Sequence, residues 1–243
     1  MKPLFAAAAA CVAFATPVLA QTAPSVATAL ADPARPQADK DRDAARHPAE
    51  ILAFVGVEPG AKVGDYFMGG GYWTRILAVA VGPKGHVHGF QPAEFARPPK
   101  PGDAPLSAVY PNVTIVQTPA ADVAFAEPLD AILTFENWHD LHSPRFTTPD
   151  FSKVSAKRLY DALKPGGVLL VADHVAAVGT ADAPNTLHRI DPAKARAEIE
   201  SAGFKFEAAL PVLANPADPH TANVFAPEIR GKTDQFVYRF RKP

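Results

Sequence analysis

The sequence predicts an α/β domain built on a doubly wound, mainly parallel sheet. Short apolar segments of strand length alternate along the chain with segments of helical periodicity. The segment 129–135 is apolar almost throughout, as expected of a parallel strand buried on both faces. Three consecutive glycines, Gly69 to Gly71, follow the first strand and lead into an apolar helical stripe. This arrangement is typical of a nucleotide-type cofactor site, because glycine lets the backbone approach a ligand and the helix start presents free N–H groups.

Apolar periodicity and turn residues locate the individual elements. Helices are predicted to start near Pro48, after Asp150 and after Asp191, where proline or a capping aspartate precedes an apolar stripe. Another is predicted directly after Gly71, where apolar residues follow at helical spacing. The stretch 91–112 is rich in proline and is predicted to be a surface loop, because proline cannot continue a helix. The strands are predicted at 62–67, 86–90, 113–116, 129–135, 168–172, 205–210 and 236–240.

Residues 1–20 have the features of a secretory signal peptide. Lys2 precedes a short apolar run, and small residues up to Ala20 offer a cleavage site. The run is too short to span a membrane, so we expect a periplasmic or secreted protein with no stable membrane insertion after signal removal. Cys11, the only cysteine, lies inside this run, so the mature chain would have no disulfide, thiolate metal site or cysteine nucleophile.

The remaining chain divides into an arm and a domain. Residues 21–46 are rich in alanine, proline and charged residues without an apolar period, and are predicted to be a flexible arm. Residues 47–243 are predicted to form the domain. A formal net charge of −1 gives no electrostatic reason to expect nucleic acid or an anionic membrane as a partner. A small-molecule substrate is expected from the motifs described below. The oligomeric state does not follow from the sequence.

Several motifs resemble those of known enzymes. The segment Asp65–Gly71 resembles the first motif of class I S-adenosylmethionine-dependent methyltransferases, and Leu163–Gly167 resembles the turn before their fifth strand. The resemblance implies a Rossmann-like, seven-stranded sheet with an antiparallel last strand, S-adenosylmethionine as the cofactor, and methyl transfer. An ordered set of motifs resembles, more narrowly, a bacterial family of predicted, often exported methyltransferases: Gly69–Tyr72, Trp138–His142, Leu187–Asp191 and Asp234–Phe236.

The resemblance assigns cofactor binding to residues at the ends of the first three strands. They are Asp65, Gly69, Gly70, Gly71, Gln91 and Asp122. Asp65 either binds the cofactor, which we favour, or braces the glycine turn. Two positions depart from the superfamily: Phe67 stands where the first glycine is usual, and Gln91 replaces the acid that holds the ribose hydroxyls. A neutral acceptor contributes about 0.5–1.5 kcal/mol against about 1.5–3 for a charged one.

Polar residues collect where the fourth and fifth strands end, which is the edge at which open α/β sheets bind ligands. We assign His139 as the general base because imidazole titrates near neutrality, with Asp140 or Glu136 to orient it. His188 with Arg189 is a candidate clamp for an acidic group. No metal is assigned. The predicted substrate-binding residues are His142, His174, His188 and Arg189.

Two alternatives stay open at this stage. The first is an exported ligand-binding protein that keeps the fold without methyl transfer, which Phe67 and the missing acid favour. The second is a metal-dependent enzyme using His139 and His142, which lie three residues apart near several carboxylates.

Overall fold

The computed structural model describes residues 24–98 and 104–243. The expected signal peptide with Cys11 and residues 21–23 of the expected arm lie outside the described residues. Among those described, no helix is both long enough and apolar enough to cross a membrane.

Seven strands form one sheet. In chain order they are β1 (Lys62–Tyr66), β2 (His86–Pro92), β3 (Val113–Thr118), β4 (Leu129–Phe135), β5 (Leu163–His174), β6 (Lys205–Ala209) and β7 (Gln235–Arg241). Their order across the sheet is β3-β2-β1-β4-β5-β7-β6. Strands β1 to β5 pair in parallel, and β7 runs antiparallel to both β5 and β6. The predicted seven-stranded, mainly parallel sheet with an antiparallel last strand is confirmed.

Helices cover both faces of this sheet. In chain order they are α1 (Pro24–Ala31), α2 (Gln37–Lys40), α3 (Asp43–Arg46), α4 (Pro48–Val55), α5 (Tyr72–Val81), α6 (Leu106–Val109), α7 (Phe151–Ala162), α8 (Ala183–Thr186) and α9 (Pro192–Glu200). Side chains of β5 alternate between the two faces, as strand geometry requires. Leu170 packs with α1, α4 and α5, whereas Leu169 and Val171 pack with α7 and α9.

The segment 24–46 does not form the flexible arm that the sequence analysis predicted. It folds into α1, α2 and α3, and Val26 and Ala29 of α1 are buried against the layer that contains α5. Arg35 is also buried and pairs with Asp43 at 2.6 Å. The prediction was wrong because two apolar residues make too short a pattern to reveal a packed helix, and because the charged residues pair with one another instead of facing solvent.

Several boundaries differ from the predicted ones. β5 begins at Leu163, directly after α7, so the predicted turn at 164–167 is an irregularity within the strand, between the pairs Leu129–Leu163 and Ala131–Val168. The proline-rich stretch contains α6 and a 3₁₀ turn at Ala93–Phe95. Asp191 caps α9 as predicted, because its side chain accepts a hydrogen bond from the amide of Ala193 at 2.8 Å.

Candidate active site

The glycine turn after β1 adopts a left-handed backbone at three positions. The φ angles are 62° at Phe67, 54° at Gly69 and 80° at Gly71. Glycine takes this conformation freely, whereas a residue with a Cβ is strained there by about 1–2 kcal/mol. Phe67 therefore stands in a backbone conformation suited to glycine, at the position where the resemblance expects the first glycine.

The Phe67 ring and a neighbouring amide hold this strained position. The ring packs edge-on against Tyr66 at 4.8 Å between centroids and against Phe95 at 5.5 Å. Buried Asn137, which follows β4, donates its amide to the carbonyl of Phe67 at 3.4 Å. The sequence predicts no role for Asn137, since no local pattern indicates a contact with a residue 70 positions away.

The rest of the turn is open on one side and packed on the other. A Cβ at Gly71 would lie 2.5 Å from Leu106 Cδ1 of α6, whereas a Cβ at Gly70 would meet nothing within 4 Å. The Gly69 amide donates to Gln91 Oε1 at 2.9 Å, so Gln91 at the end of β2 is bound to the turn. Within the described residues, the Gly70 amide makes no hydrogen bond. Gly70 is thus exposed, with an unpaired amide and room for a ligand to approach its backbone.

Asp65 lies beneath the turn and connects β1 to α5. It is buried, and its carboxylate accepts a hydrogen bond from Thr74 Oγ1 at 2.5 Å. Burial raises the pKa of Asp65 to about 6, although the hydrogen bond from Thr74 opposes the increase. This contact favours the bracing role over the cofactor-binding role that we preferred from the sequence.

Asp122 ends a 3₁₀ turn (Ala120–Asp122) after β3 and is exposed. Its carboxylate makes no hydrogen bond or ion pair within the described part of the chain. Glu94, by contrast, accepts from the Ala120 amide with both oxygens at 3.1 Å. The segments after β2 and β3 are therefore tied together, and the Asp122 carboxylate stays available to a ligand.

A buried, hydrogen-bonded pair at this edge joins His139 to Asp173. His139 lies in a 3₁₀ turn (His139–His142) after β4, and Asp173 is fully buried near the end of β5. His139 Nδ1 lies 2.8 Å from Asp173 Oδ1, and the His139 amide donates to Oδ2 at 2.8 Å. The ring is therefore oriented by Asp173, and not by Asp140 or Glu136 as predicted.

Burial and charge act in opposite directions on this pair. Burial favours a lower pKa for His139, but the charge of Asp173 and the hydrogen bond to it raise the pKa above its ordinary value. Burial favours a higher pKa for Asp173, but the charge of His139 and its hydrogen bonds lower that pKa. Both shifts favour a charged, hydrogen-bonded pair.

Asp140 and His188 lie on the other side of the His139 ring. His139 Nε2 is 3.6 Å from Asp140 Oδ1, and the rings of His139 and His188 meet edge to face at 5.4 Å. One ligand atom from each residue lies within 4.8 Å of the other two. Burial raises the pKa of Asp140, and burial together with the charge of His139 lowers the pKa of His188. We call these three residues the His139 cluster.

Two other predicted site residues, Glu136 and His142, have partners elsewhere. Glu136 pairs with Arg46 of α3 at 2.6 Å, so it does not orient His139. His142 Nε2 lies 3.2 Å from Glu198 of α9, and within the described residues the His142 ring makes no hydrogen bond or ion pair with the His139 cluster. The proposed pairing of His139 with His142 on a metal was therefore wrong.

Arg189 and His174 are held inside the protein. The Arg189 side chain has no exposed surface, and it pairs with Asp218 at 2.8 Å, a residue with an equally buried side chain. A guanidinium enclosed in this way cannot clamp a substrate, so that assignment was wrong. His174 Nδ1 lies 2.8 Å from Thr233 Oγ1, and burial lowers the pKa of His174. Both side chains secure the segments that carry the His139 cluster.

The arrangement of strands and helices is that of class I methyltransferases. An S-adenosylmethionine-dependent methyltransferase from Aquifex aeolicus aligns with 85% of this chain and 96% of its own, at 17% identity and a TM-score of 0.57. A 1,6-didemethyltoxoflavin N1-methyltransferase from Burkholderia thailandensis, solved with S-adenosylhomocysteine, aligns with 82% of this chain and 79% of its own, at 18% identity and a TM-score of 0.54.

The same fold also occurs in an enzyme described by another reaction. The [4+2]-cyclase SpnF aligns with 85% of this chain and 81% of its own, at 15% identity and a TM-score of 0.56. No family model matches the chain, and no curated protein matches it significantly. These similarities establish the fold, so the activity has to be argued from the site.

Proposed function

We propose that this chain is an S-adenosylmethionine-dependent methyltransferase that acts on a small-molecule acceptor after export. One observation carries the proposal: the glycine turn and the His139 cluster lie at the same edge of the sheet. The turn follows β1 and the cluster follows β4 and β5, and these three strands are adjacent and parallel. A cofactor at the turn would therefore lie beside an acceptor at the cluster.

The described residues fit the cofactor at the turn. The open space above Gly70 and its unpaired amide suit a ligand that approaches the backbone closely. Gln91 is bound to the turn at the end of β2, and the Asp122 carboxylate is exposed after β3; at these two positions the resemblance implies contacts to the ribose and the adenine. Bound there, the cofactor supplies an electrophilic methyl group on a sulfonium.

The protein contributes mainly by positioning the acceptor. Methyl transfer from a sulfonium is an in-line displacement, for which effective molarities reach about 10⁵–10⁸ M. The His139 ring is fixed by Asp173 and directs Nε2 toward Asp140. When its ring is neutral, Nε2 of His139 is the candidate base for a proton of the acceptor, a contribution of about 10²–10⁴-fold. Because Asp173 raises the pKa of His139, this neutral form is favoured only above the ordinary titration range of histidine.

Calorimetry tests cofactor binding directly. We expect the mature protein to bind S-adenosylmethionine and S-adenosylhomocysteine, and the variant Gly70→Val to lose this binding while keeping its thermal unfolding profile. The new Cβ would meet no protein atom within 4 Å, so the side chain would extend into the open space. No binding of either compound at millimolar concentration would refute the proposal.

Methyl transfer is tested separately with a methyl-labelled cofactor and a pool of small molecules from the cell envelope. Incorporation of label supports the proposal, and binding without incorporation would favour the ligand-binding alternative. A His139→Gln variant should bind the cofactor normally and lose more than tenfold in turnover. A smaller loss would exclude His139 as the base.

A further inference from the structure

We propose that His139, Asp140 and His188 bind one divalent transition metal ion, and that Asp173 fixes the orientation of His139 for this purpose. The site lies within the acceptor region of the proposed function. Metal binding by the cluster does not require the cofactor, so the two proposals can fail independently.

The spacing of the three side chains is close to that of a metal site. Their potential ligand atoms all lie within 4.8 Å of one another, and His139 Nε2 and Asp140 Oδ1 are 3.6 Å apart. Zinc bonds of about 2.0–2.1 Å in tetrahedral geometry place neighbouring ligand atoms roughly 3.3 Å apart. The pair within the 3₁₀ turn is thus nearly in place, and rotamer adjustment of His188 would complete the set.

His139 has the outer hydrogen bond that metal-binding histidines usually have. Its Nδ1 is bound to Asp173, so Nε2 is the atom left to coordinate an ion. A carboxylate in this position fixes the tautomer and the ring orientation, and raises the basicity of the ligand nitrogen. Asp173 is itself held by the amides of His139 and His174, at 2.8 and 2.7 Å.

The hydrogen bonds of the other histidines set His188 apart. Of the eight histidines in the sequence, His188 is the one whose ring makes no hydrogen bond within the described residues. The Asp140 carboxylate likewise makes no hydrogen bond there. Six histidines are satisfied by protein partners: His47 by Glu50, His86 by Thr114, His88 by Glu127, His142 by Glu198, His174 by Thr233 and His220 by Asp234.

The chain around His188 is held firmly in an unfavourable conformation. His188 has φ of 55°, in the left-handed region that costs a non-glycine residue about 1–3 kcal/mol. The next residue, Arg189, is anchored by the buried pair with Asp218, and Asn223 donates to the carbonyl of Thr186 at 2.8 Å. These contacts keep the His188 ring against His139, a position that local backbone preference would not select.

The ligand types indicate which metals the site would take. Imidazole suits zinc, iron, cobalt and nickel, whereas magnesium and calcium prefer sites made of oxygen atoms. Three protein ligands leave a coordination position for water or a substrate atom, as in catalytic zinc sites. An ion bound here would hold an oxygen or nitrogen of the acceptor and lower its pKa, and His139 Nε2 would then be a ligand and not the base.

The test uses mature protein purified without a histidine tag and stripped with a chelator. Calorimetry with Zn²⁺ should show one equivalent bound, and Co²⁺ should give the visible absorption of a low-coordinate site. His188→Gln and Asp140→Asn should each weaken Zn²⁺ binding by more than about 100-fold, and Asp173→Asn by about 10–100-fold. The matched control is His86→Gln, which removes an imidazole from the opposite end of the sheet and should leave affinity unchanged.

Thermal unfolding identifies any variant that has lost its fold, and Asp140→Asn, the mildest change, keeps the test informative. Affinities of His188→Gln and Asp140→Asn equal to that of His86→Gln would overturn the metal site. So would binding of Mg²⁺ as tight as that of Zn²⁺. Cofactor calorimetry on the same samples separates the two proposals, because loss of metal binding with intact cofactor binding refutes only the metal site.

Discussion

Replacing Phe67 by glycine tests whether the backbone at this position has the left-handed conformation that favours glycine. Truncating a buried phenylalanine to alanine costs about 3–5 kcal/mol of unfolding free energy. Phe67→Ala loses the contacts with Tyr66 and Phe95 and keeps a Cβ at φ of 62°. Phe67→Gly loses the same contacts but relieves about 1–2 kcal/mol of backbone strain.

The difference in stability between the two variants isolates the contribution of the backbone conformation at position 67. Glycine also gives the unfolded chain more freedom, which costs the folded state about 0.4–1 kcal/mol. We therefore expect Phe67→Gly to be more stable than Phe67→Ala by roughly 0.5–1 kcal/mol. At a residue with negative φ the order would be reversed, so the sign of the difference is diagnostic.

Urea unfolding of the wild type and both variants measures these differences, provided that the slope of free energy against urea stays the same. A Phe67→Gly variant no more stable than Phe67→Ala would refute the left-handed backbone at this position. Cofactor affinity gives a second readout. If the Phe67 ring limits access to the turn, Phe67→Gly should bind S-adenosylhomocysteine at least as tightly as the wild type.

Three further predictions concern buried groups near the site. Burial raises the pKa of Asp65 to about 6 from 3.8, so its ionisation destabilises the fold as pH rises through this interval. The unfolding free energy of Asp65→Asn, measured in urea, should therefore rise by about 3 kcal/mol relative to that of the wild type as the pH increases from 4 to 8. Parallel pH profiles of stability for the two proteins would contradict the raised pKa. Arg189→Met should lower the unfolding free energy by about 3–5 kcal/mol, because it leaves the Asp218 carboxylate buried without its ion-pair partner. A loss below about 1 kcal/mol would show that water reaches the pair. Gly71→Ala should lower the unfolding free energy by about 1–3 kcal/mol, because φ is 80° and the new methyl group would lie 2.5 Å from Leu106 Cδ1. An unchanged melting temperature would show that Leu106 of α6 does not pack against the turn.

The sheet was predictable because its signals are local. A strand such as β4 is marked by its own apolar residues, and the cap of α9 by Asp191 and the proline after it. The segment 24–46 was not predictable in this way. Its stability rests on pairs such as Arg35 with Asp43 and on the contact of α1 with α5, which are fixed only when the chain has folded.

In the candidate site, too, features with a local signal were predictable and long-range contacts were not. The polar residues lie at the edge of the sheet that the sequence predicts, because their position after strands four and five follows from topology. Their partners do not follow from the sequence. Asp173 orients His139 across 34 residues, and Asp218 encloses Arg189 across 29 residues, and no periodic pattern records either contact.

Backbone strain gives an independent argument that this edge is the functional one. Non-glycine residues with positive φ are uncommon, and where the fold maintains them they concentrate at active sites and ligand-binding segments. Three of them lie at the ligand edge here: Phe67 in the glycine turn, Glu136 directly after β4, and His188 beside His139. Each is held by long-range contacts, such as the Glu136 pair with Arg46. Substituting an anchor should therefore displace the strained residue before it unfolds the sheet. That displacement would be measured at the glycine turn and at the His139 cluster.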